Sequence, residues 1–298
     1  MPDDSWIDLK KDARTGIETL RAHFTGHAYD LHWHDSYLIG FTETGVQQFN
    51  CRRQLCTSLA GGSFLLEPGE IHDGNSPLKT GFTYRQLYIP ANWLQENLAS
   101  LFHDLPDNFE LNIDKNLMQD KHLTASIASA FNALYQEEID IVREACLDQM
   151  LHRIMTHISL KKRHPPFENT LNEVGSLSGS YIALQTKEYL HANLHQDIRL
   201  EELAQIIGCD RFRLNRLFKA NFGISPHAYL IQLRLVKARS LLAQGISPIN
   251  VASDLCFSDQ SHLGRWFRRA YRLTPADYYK RCSPSNHTNR TKRPDMTV

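Results

Sequence analysis

The spacing of hydrophobic positions changes along the chain, and each spacing predicts a different kind of secondary structure. Over residues 17–90, short apolar and β-branched runs such as SYLIGFTET and FTYRQLYIP alternate with Gly, Pro and Asn. This alternation is typical of an all-β sandwich or barrel. Over residues 90–162, apolar residues recur at helical spacing, as Ile127, Phe131 and Leu134 do. Helices of this kind pack into the barrel or against a second subunit, and the pattern leaves both open.

The C-terminal part of the chain contains an internal repeat. The segment RLNRLFKANFGISPHAYL starting at Arg213 aligns without gaps with HLGRWFRRAYRLTPADYY starting at His262, 49 residues later. Upstream the match continues at an offset of 48 residues, where Gly208 corresponds to Cys256. A slip of one residue between matched helices is typical of a loop insertion. The repeat therefore predicts a unit of helix, turn and helix that occurs twice.

In each copy, the second helix has one apolar and one basic face. Asp210 and Asp259 are predicted to cap this helix, which begins at Arg211 in the first copy and at Gln260 in the second. The side chains predicted to face inward are Leu214, Leu217, Phe218, Leu263, Trp266 and Phe267. The side chains left outward are Arg211, Arg213, Asn215, Arg216, Lys219, Gln260, Ser261, His262, Arg265, Arg268 and Arg269. Because Arg, Asn, Gln and Ser pair with base edges, such helices suit the major groove of DNA.

The composition of the whole chain conceals a charge difference between its two parts. The 298 residues carry 33 Lys and Arg and 33 Asp and Glu, so the formal net charge is zero. Residues 1–180 hold 15 basic and 24 acidic side chains, a net charge of −9, whereas residues 181–298 hold 18 and 9, a net charge of +9. This asymmetry predicts an acidic domain joined to a domain that binds a polyanion.

Targeting signals are not evident in the sequence. The N-terminal segment MPDDSWIDLKKDARTG has neither the cationic nor the apolar region of a signal peptide. No window approaches the run of about 18 apolar residues that a membrane span needs. We therefore expect a cytoplasmic protein with no membrane partner.

The residues of the repeat resemble a known DNA-binding domain. Gly208, FGISP, CFSDQSHLGRWFRR and LTP resemble the double helix-turn-helix domain of the AraC/XylS family of bacterial transcription regulators. The resemblance covers about residues 182–281 and implies that the second helix of each copy is a recognition helix.

Carried over by position, the resemblance implies a set of DNA contacts. The candidates that read bases are Arg211, Phe212, Asn215, Arg216, Gln260, Ser261, His262 and Arg265, with Lys219 and Arg268 on phosphates and Arg213 as a further DNA-binding candidate. Three positions depart from the family pattern. Cys256 and Arg272 stand where glycine is usual, and Gly264 lies inside the second recognition helix, where Gly costs up to about 1 kcal/mol relative to Ala.

Two histidine-containing segments stand out in the acidic part. HWHDSY and EPGEIHDGN resemble the two halves of the cupin motif, which would bring His32, His34 and His72 to one divalent metal. The glutamate of that motif is missing, because Leu38 and Ile39 occupy its place. We therefore predict no metal and no other cofactor.

The same histidines are predicted to line a pocket for a small molecule in the mouth of the barrel. The predicted ligand-binding residues are His32, His34, Tyr37 and His72, with Trp33 and Arg85 as weaker candidates. A plain role in the protein core remains an open alternative for any one of them.

Together these features predict an α+β protein of two domains. A cupin-like β-barrel with trailing helices spans residues 1–162, a linker 163–180, an all-α double helix-turn-helix domain 181–282, and a disordered tail 283–298. The predicted function is regulation of transcription in response to a small-molecule effector, without enzymatic activity. The predicted partners are double-stranded promoter DNA, the effector, RNA polymerase and a second copy of the chain.

Two other functions are compatible with the sequence. One is a metal-dependent cupin enzyme fused to a DNA-binding module, which requires His32, His34 and His72 to hold a metal with an open coordination position. The other is a regulator whose barrel binds no ligand and serves only oligomerisation.

Overall fold

The chain folds into two units, one rich in β-sheet and one entirely helical in its described part. The computed structural model describes residues 5–101, 109–162 and 179–283. Its contacts divide the chain into Met1–Pro165 and Pro166–Val298. This composition confirms the predicted α+β class of two domains.

The first unit contains eleven strands and three helices among its described residues. Its strands are β1 (Trp6–Lys11), β2 (Glu18–Phe24), β3 (His27–His32), β4 (Ser36–Cys51), β5 (Gln54–Leu59), β6 (Ser63–Leu66), β7 (His72–Asn75), β8 (Phe82–Pro90), β9 (Phe109–Asn112), β10 (Leu117–Met118) and β11 (Ser159–Lys162). Its helices are α1 (Ala91–Leu101), α2 (Lys121–Tyr135) and α3 (Asp140–Ile154).

The long strand β4 joins the two layers of the sheet. In the first layer, the strands are ordered β1-β2-β8-β4-β6-β10, and every pairing is antiparallel. The second half of β4 leaves this layer and pairs with β5 and β7, and β7 pairs in turn with β3. Aromatic rings fill the space between the layers, with the centroid of Phe64 6.1 Å from that of Phe49 and 6.2 Å from that of Tyr84.

The sequence pattern misplaced some of these strands. β1 precedes the predicted start of the barrel, and β9, β10 and β11 lie in the region predicted to be helical. β9 and β11 pair with each other although α2 and α3 lie between them in the sequence. Because this pairing joins residues distant in sequence, the local spacing of apolar residues does not reveal it.

Side chains alternate across β8 between the interior and the helices. Tyr84, Gln86 and Tyr88 face the space between the layers. Leu87 and Ile89 face outward and pack against the three helices. The helices therefore cover the outer face of the barrel through Leu94, Leu98, Leu123, Ile127, Phe131, Leu147, Met150 and Leu151. Of the two packing partners considered for these helices, the structure shows the barrel. Packing against a second subunit stays a prediction.

A cluster of charged side chains joins the sheet to α2. The Arg85 guanidinium donates two hydrogen bonds to the Glu43 carboxylate, at 2.8 and 3.1 Å, and a third to Oδ1 of Asn132, at 2.8 Å. Arg21 donates two more to Glu43, at 2.9 and 3.0 Å. Burial alone raises the pKa of Glu43, but the hydrogen bonds and charges of Arg85 and Arg21 outweigh it and lower the pKa to about 2.

We expect this cluster to make the stability of the first unit depend on acid pH. The lowered pKa of Glu43 stabilises the fold above the ordinary value of 4.5, and this contribution is lost as the pH falls from there towards 2. Glu43→Gln should lower the free energy of unfolding by about 2 kcal/mol at pH 7 and by less at pH 4. Urea unfolding of the full chain at both pH values measures this difference. Glu96→Gln, at an exposed position of α1, should change neither value. An equal loss at both pH values for Glu43→Gln would contradict the assignment.

The second unit consists of seven helices among its described residues. They are α4 (Gly179–Ala192), α5 (Leu200–Ile207), α6 (Arg211–Phe222), α7 (Pro226–Ala243), α8 (Pro248–Asp254), α9 (Gln260–Tyr271) and α10 (Pro275–Cys282). The pairs α5–α6 and α8–α9 are the two predicted helix-turn-helix units, and α7 connects them. The predicted caps are confirmed: the Asp210 carboxylate accepts the N–H groups of Phe212 and Arg213, and that of Asp259 accepts the N–H of His262.

The ends of the second unit differ from their predicted positions. Gly179 and Ser180 belong to α4, so the predicted linker extends two residues too far. Ser283 is fully buried and its N–H bonds to the carbonyl of Tyr279, so the predicted tail cannot begin there. The remainder of the linker, 163–178, and of the tail, 284–298, lies outside the described residues. None of the described helices is both long and apolar enough to span a bilayer.

Candidate functional site

Helix α6 presents a basic surface opposite its buried face. Leu214 and Phe218 are buried against the rest of the unit. Arg216 and Lys219 are exposed on the other side of the helix, and Phe212 is 73% exposed.

Two of the predicted contacts on α6 are partly engaged within the unit. The Arg211 guanidinium forms an ion pair with Glu201 of α5 and lies 4.8 Å from the centre of the Phe212 ring. Asn215 is half-buried, whereas Arg213 is exposed. Part of the Arg211 guanidinium is therefore already engaged by a carboxylate before any partner on DNA is present.

Helix α9 presents a second basic surface at the equivalent place. Gln260, Ser261, Arg265 and Arg268 are exposed. Two further arginines share this surface, Arg269 and the half-buried Arg272, and with His262, Arg265, Trp266 and Arg268 they line an open groove of about 510 Å³. The sequence predicts an outward position but no DNA contact for Arg269, and it marks Arg272 only as a departure from glycine. The repeat could have identified both residues, because the second copy has arginine at two positions where the first copy has the uncharged residues Ala220 and Gly223.

Trp266 and His262 hold each other on this surface. Trp266 was predicted to face inward, but it is only half-buried, because its indole Nε1–H donates to Nε2 of His262 at 2.9 Å. The Arg269 guanidinium lies 5.1 Å from the centre of the Trp266 ring. Since an indole nitrogen only donates, Nε2 of His262 accepts this bond through its lone pair. His262 must give up this bond to donate to a base through Nε2.

The turns of the repeat keep a left-handed backbone even where glycine is absent. Gly208 and Gly223 have φ of 77° and 81°, and the corresponding Cys256 and Arg272 have φ of 53° and 56°. Non-glycine residues pay about 1 kcal/mol or more in this region. Gly264 is not among the residues with a positive φ, and nothing lies within 4 Å of a Cβ built there, so neither backbone conformation nor space requires glycine at this position.

We expect the backbone at Arg272 to show this cost directly. Both Arg272→Gly and Arg272→Ala remove the side chain, but only glycine relieves the left-handed conformation. The glycine variant should be more stable to thermal or urea unfolding by about 1 kcal/mol. At Arg269, inside α9, the order should reverse, with alanine favoured by about 1 kcal/mol. An alanine variant as stable as the glycine variant at position 272 would contradict the assigned strain.

Inside the first unit, the structure brings the three singled-out histidines together. His32 ends β3, His34 follows it, and His72 begins β7 as the antiparallel partner of His32. All three are buried, and the ring centroids lie 4.5 Å apart for His32 and His72, 4.8 Å for His32 and His34, and 5.3 Å for His34 and His72. One ring nitrogen from each lies within 4.8 Å of the others.

Backbone groups fix the orientation of this cluster. Nδ1 of His32 lies 2.7 Å from the carbonyl oxygen of Asp30, and Nδ1 of His72 lies 2.8 Å from that of Glu70. Because a carbonyl oxygen only accepts, both Nδ1 atoms carry a proton, so that in the neutral form of each ring the lone pair is on Nε2. Burial lowers the pKa of His72, which favours that neutral form.

The turn that carries His72 is itself held by a buried carboxylate. Glu70 accepts hydrogen bonds from the backbone N–H of Glu67 at 2.9 Å and from Asn116 at 3.1 Å, and it forms an ion pair with Arg52. The N–H of Gly69 donates to the carbonyl of His34 at 2.7 Å. This last bond joins the two histidine-containing segments directly.

Three predicted pocket residues do not line the cavity at the histidines. Tyr37 lies three positions after His34 and packs in the core between sheet and helices with Ile39. Arg85 projects from β8 towards Glu43 and α2. Trp33 is buried but is not among the residues that line the cavity. Alternation along β4 and β8 explains the first two cases, because neighbouring positions of a strand face opposite sides.

Besides the three predicted histidines, the cavity is lined mostly by aromatic and amide side chains that the sequence analysis did not single out. Its lining comprises Tyr29, His32, His34, Gln47, Phe49, Phe64, Leu66, His72, Asp73, Tyr84, Gln86 and Tyr88. The hydroxyl oxygens of Tyr29 and Tyr84 lie 2.7 Å apart within it. The alternation Phe82-Tyr84-Gln86-Tyr88 was visible in the sequence and is the signal that identifies this face.

The cavity volume is about 30 Å³. That is room for one or two waters, and it is about a tenth of the smallest ordinary pocket for an organic ligand. Leu38 and Ile39, at the place of the cupin glutamate, are buried apolar residues. The histidines thus converge on a space of the size of an ion and a water.

Comparisons with known proteins agree with both units. A family model described as AraC-like ligand binding domain matches residues 14–155, and a helix-turn-helix domain model matches residues 203–281. The uncharacterised HTH-type transcriptional regulator YbfI of Bacillus subtilis is 25% identical over 86% of this chain and 88% of its own length. The HTH-type transcriptional regulator MtrA of Neisseria gonorrhoeae is 33% identical over 64% of this chain and 61% of its own.

A solved structure shares the fold. ToxT from Vibrio cholerae superposes with a TM-score of 0.51 at 12% identity, covering 94% of this chain and 99% of its own. The matches and the two units define a transcription regulator with a ligand-binding domain and a DNA-binding domain. The chain belongs to the AraC/XylS family. Because the family and the relatives are regulators, the alternative of a cupin enzyme fused to a DNA-binding module is set aside.

Proposed function

We propose that this regulator binds duplex promoter DNA with α6 and α9 in two neighbouring segments of the major groove. The proposal rests on one observation: exposed basic side chains occupy equivalent positions in the two copies of the repeat. Arg216 and Lys219 on α6 correspond to Arg265 and Arg268 on α9, and all four are exposed opposite the buried face of their helix. Two recognition helices with the same outward pattern fit adjacent turns of one DNA face.

Within each helix the contacts divide by position. Arg216 and Arg265 lie at the centre of the outward face and suit bidentate bonds to guanine. Lys219 and Arg268 lie nearer the helix end and suit phosphates. The exposed apolar ring of Phe212 suits contact with a thymine methyl group in the major groove. Ser261 and Gln260 begin α9 and suit base edges there.

The acidic unit is proposed to sense an effector and to pair two chains. The cavity at His32, His34 and His72 supports effector binding. Exposed apolar side chains at the start of α3 support a homodimer, since Ile139 is 68% and Ile141 71% exposed. Such a dimer would act on RNA polymerase at a promoter, in the cytoplasm where that DNA lies. The effector shifts DNA affinity by no more than its own differential affinity for the two states.

We expect Arg216→Ala and Lys219→Ala to weaken DNA binding in different ways. Arg216→Ala should cost about 1 to 3 kcal/mol on the preferred sequence and relax the preference at one base pair, whereas Lys219→Ala should weaken all duplexes alike and lower the salt slope by about 1. Fluorescence anisotropy of the full chain on sequences selected from a random duplex pool, at several salt concentrations, measures both. Lys237→Ala, an exposed cation on α7, serves as the matched control. Identical effects of the two variants on specificity and salt slope would contradict the assigned roles.

We expect Ile141→Glu to weaken the dimer. A glutamate buried in an apolar contact between subunits destabilises the dimer, because its charge loses contact with water. A glutamate at a position that stays exposed has no such cost. Sedimentation velocity over a range of concentrations should show dimer for the wild type and monomer for the variant. Leu55→Glu, on β5 and 60% exposed, should leave the wild-type behaviour unchanged. A wild-type chain that stays monomeric at all concentrations would contradict the proposed dimer.

A further inference from the structure

We propose that His32, His34 and His72 bind one divalent transition-metal ion, and that this ion is the effector that the first unit senses. The second half of this proposal rests on the proposed function, because it needs a protein whose DNA binding responds to a ligand. The first half stands on the geometry of the cluster alone.

The three imidazoles are already close to a coordinating arrangement. One ring nitrogen of each lies within 4.8 Å of the others. In a tetrahedral site with bonds of 2.0 to 2.1 Å, nitrogen ligands stand about 3.3 Å apart. Small side-chain rotations close this difference, and the strand pairing of His32 with His72 already holds their backbones in register.

The outer contacts of the cluster are those of metal-binding histidines. A histidine ligand usually donates its second ring N–H to a carbonyl or carboxylate, which fixes the ring and directs the other nitrogen to the metal. His32 and His72 make this bond to the carbonyls of Asp30 and Glu70. A carbonyl of the main chain cannot rotate away, so both rings are held with Nε2 as the ligating atom.

The donor set selects the kind of ion. Three imidazoles without a carboxylate in the cluster suit Zn²⁺, Co²⁺, Ni²⁺ or Fe²⁺ and not Mg²⁺ or Ca²⁺, which prefer oxygen. Asp73 lines the cavity, but its carboxylate accepts from the backbone N–H of Asn50 at 2.6 Å and from the Asn50 side chain at 2.8 Å. With three protein ligands, a fourth position is left for water or another small ligand.

The size of the cavity favours the ion over an organic effector. A volume of about 30 Å³ holds an ion and a water, whereas pockets for organic ligands begin at about 300 Å³. The aromatic side chains Phe49, Phe64 and Tyr84 are packed against each other and close the remaining interior. Ion binding would add a link between the β3–β4 segment and the turn before β7, beside the Gly69 to His34 hydrogen bond and the pairing of His32 with His72.

The binding experiment uses the full chain after removal of metal with a chelator. Titration with Co²⁺ should produce the intense visible absorption of a low-coordinate site, saturate at one equivalent, and be reversed by Zn²⁺. His34→Gln should weaken Co²⁺ binding by at least about 100-fold. His122→Gln, the same substitution at an exposed position of α2, should bind like the wild type.

A further measurement separates loss of metal binding from unfolding of a histidine variant. Circular dichroism of each variant checks folding, and His72→Gln provides a second variant should His34→Gln fail to fold. A folded wild-type chain that binds neither Co²⁺, Zn²⁺ nor Ni²⁺ at one equivalent would overturn the site. Folded His34→Gln and His72→Gln proteins that bind as tightly as the wild type would also overturn it.

The sensing half is tested by DNA affinity with and without one equivalent of Zn²⁺. We expect a change of about five-fold or more in the wild type and in His122→Gln, and none in His34→Gln. Metal bound at one equivalent with an unchanged DNA affinity would overturn the sensing half. Absence of DNA binding in both states would overturn the proposed function, while the Co²⁺ titration would still decide the metal site.

Discussion

The antiparallel pairing of β4 with β8 is the constraint on which the first unit depends. Side chains alternate across both strands, so a shift of one residue in either would exchange the cavity face with the face that packs on the helices. Gly40 permits this close pairing, because a Cβ there would clash with the Arg85 carbonyl oxygen and with the Phe64 ring. With that register, Tyr84, Gln86 and Tyr88 face the histidines, and Arg85 meets Glu43 and α2 on the other side.

In the second unit, two buried arginines on α7 have a comparable role. The Arg234 guanidinium donates to the carbonyls of Leu194, Gln196 and Cys256, at 2.9, 2.6 and 3.2 Å. Burial lowers its pKa, and these three carbonyls compensate much of the cost of burying the charge. Arg239 bonds to the hydroxyl of Tyr278 at 3.1 Å. The first arginine joins the loop after α4 to the turn of the second helix-turn-helix, and the second joins α7 to α10. The two helices proposed to contact DNA therefore belong to one packed body.

Short-range sequence patterns predicted most helices and caps of the second unit, but few of the strand faces and cavity residues of the first unit. The caps at Asp210 and Asp259 depend on a side chain and the next few residues, so the sequence was sufficient to find them. The faces of Tyr37 and Arg85 depend on sheet register, which only the folded structure sets. Trp266 was misplaced because its apolar ring matched the inward stripe, while the bond to His262 holds it at the surface. The resemblance of two segments to the cupin motif predicted the histidine cluster, but the size of the cavity follows from aromatic rings on four strands.

The proposed function requires that one chain reads two neighbouring major-groove segments with α6 and α9. Protection of guanine N7 from methylation reports contact in that groove base by base. Bound to its preferred duplex at saturation, the full chain should protect two segments centred about 10 base pairs apart on one face of the DNA for each bound copy. Protection of a single segment for each copy, or binding without any protection in the major groove, would contradict the account.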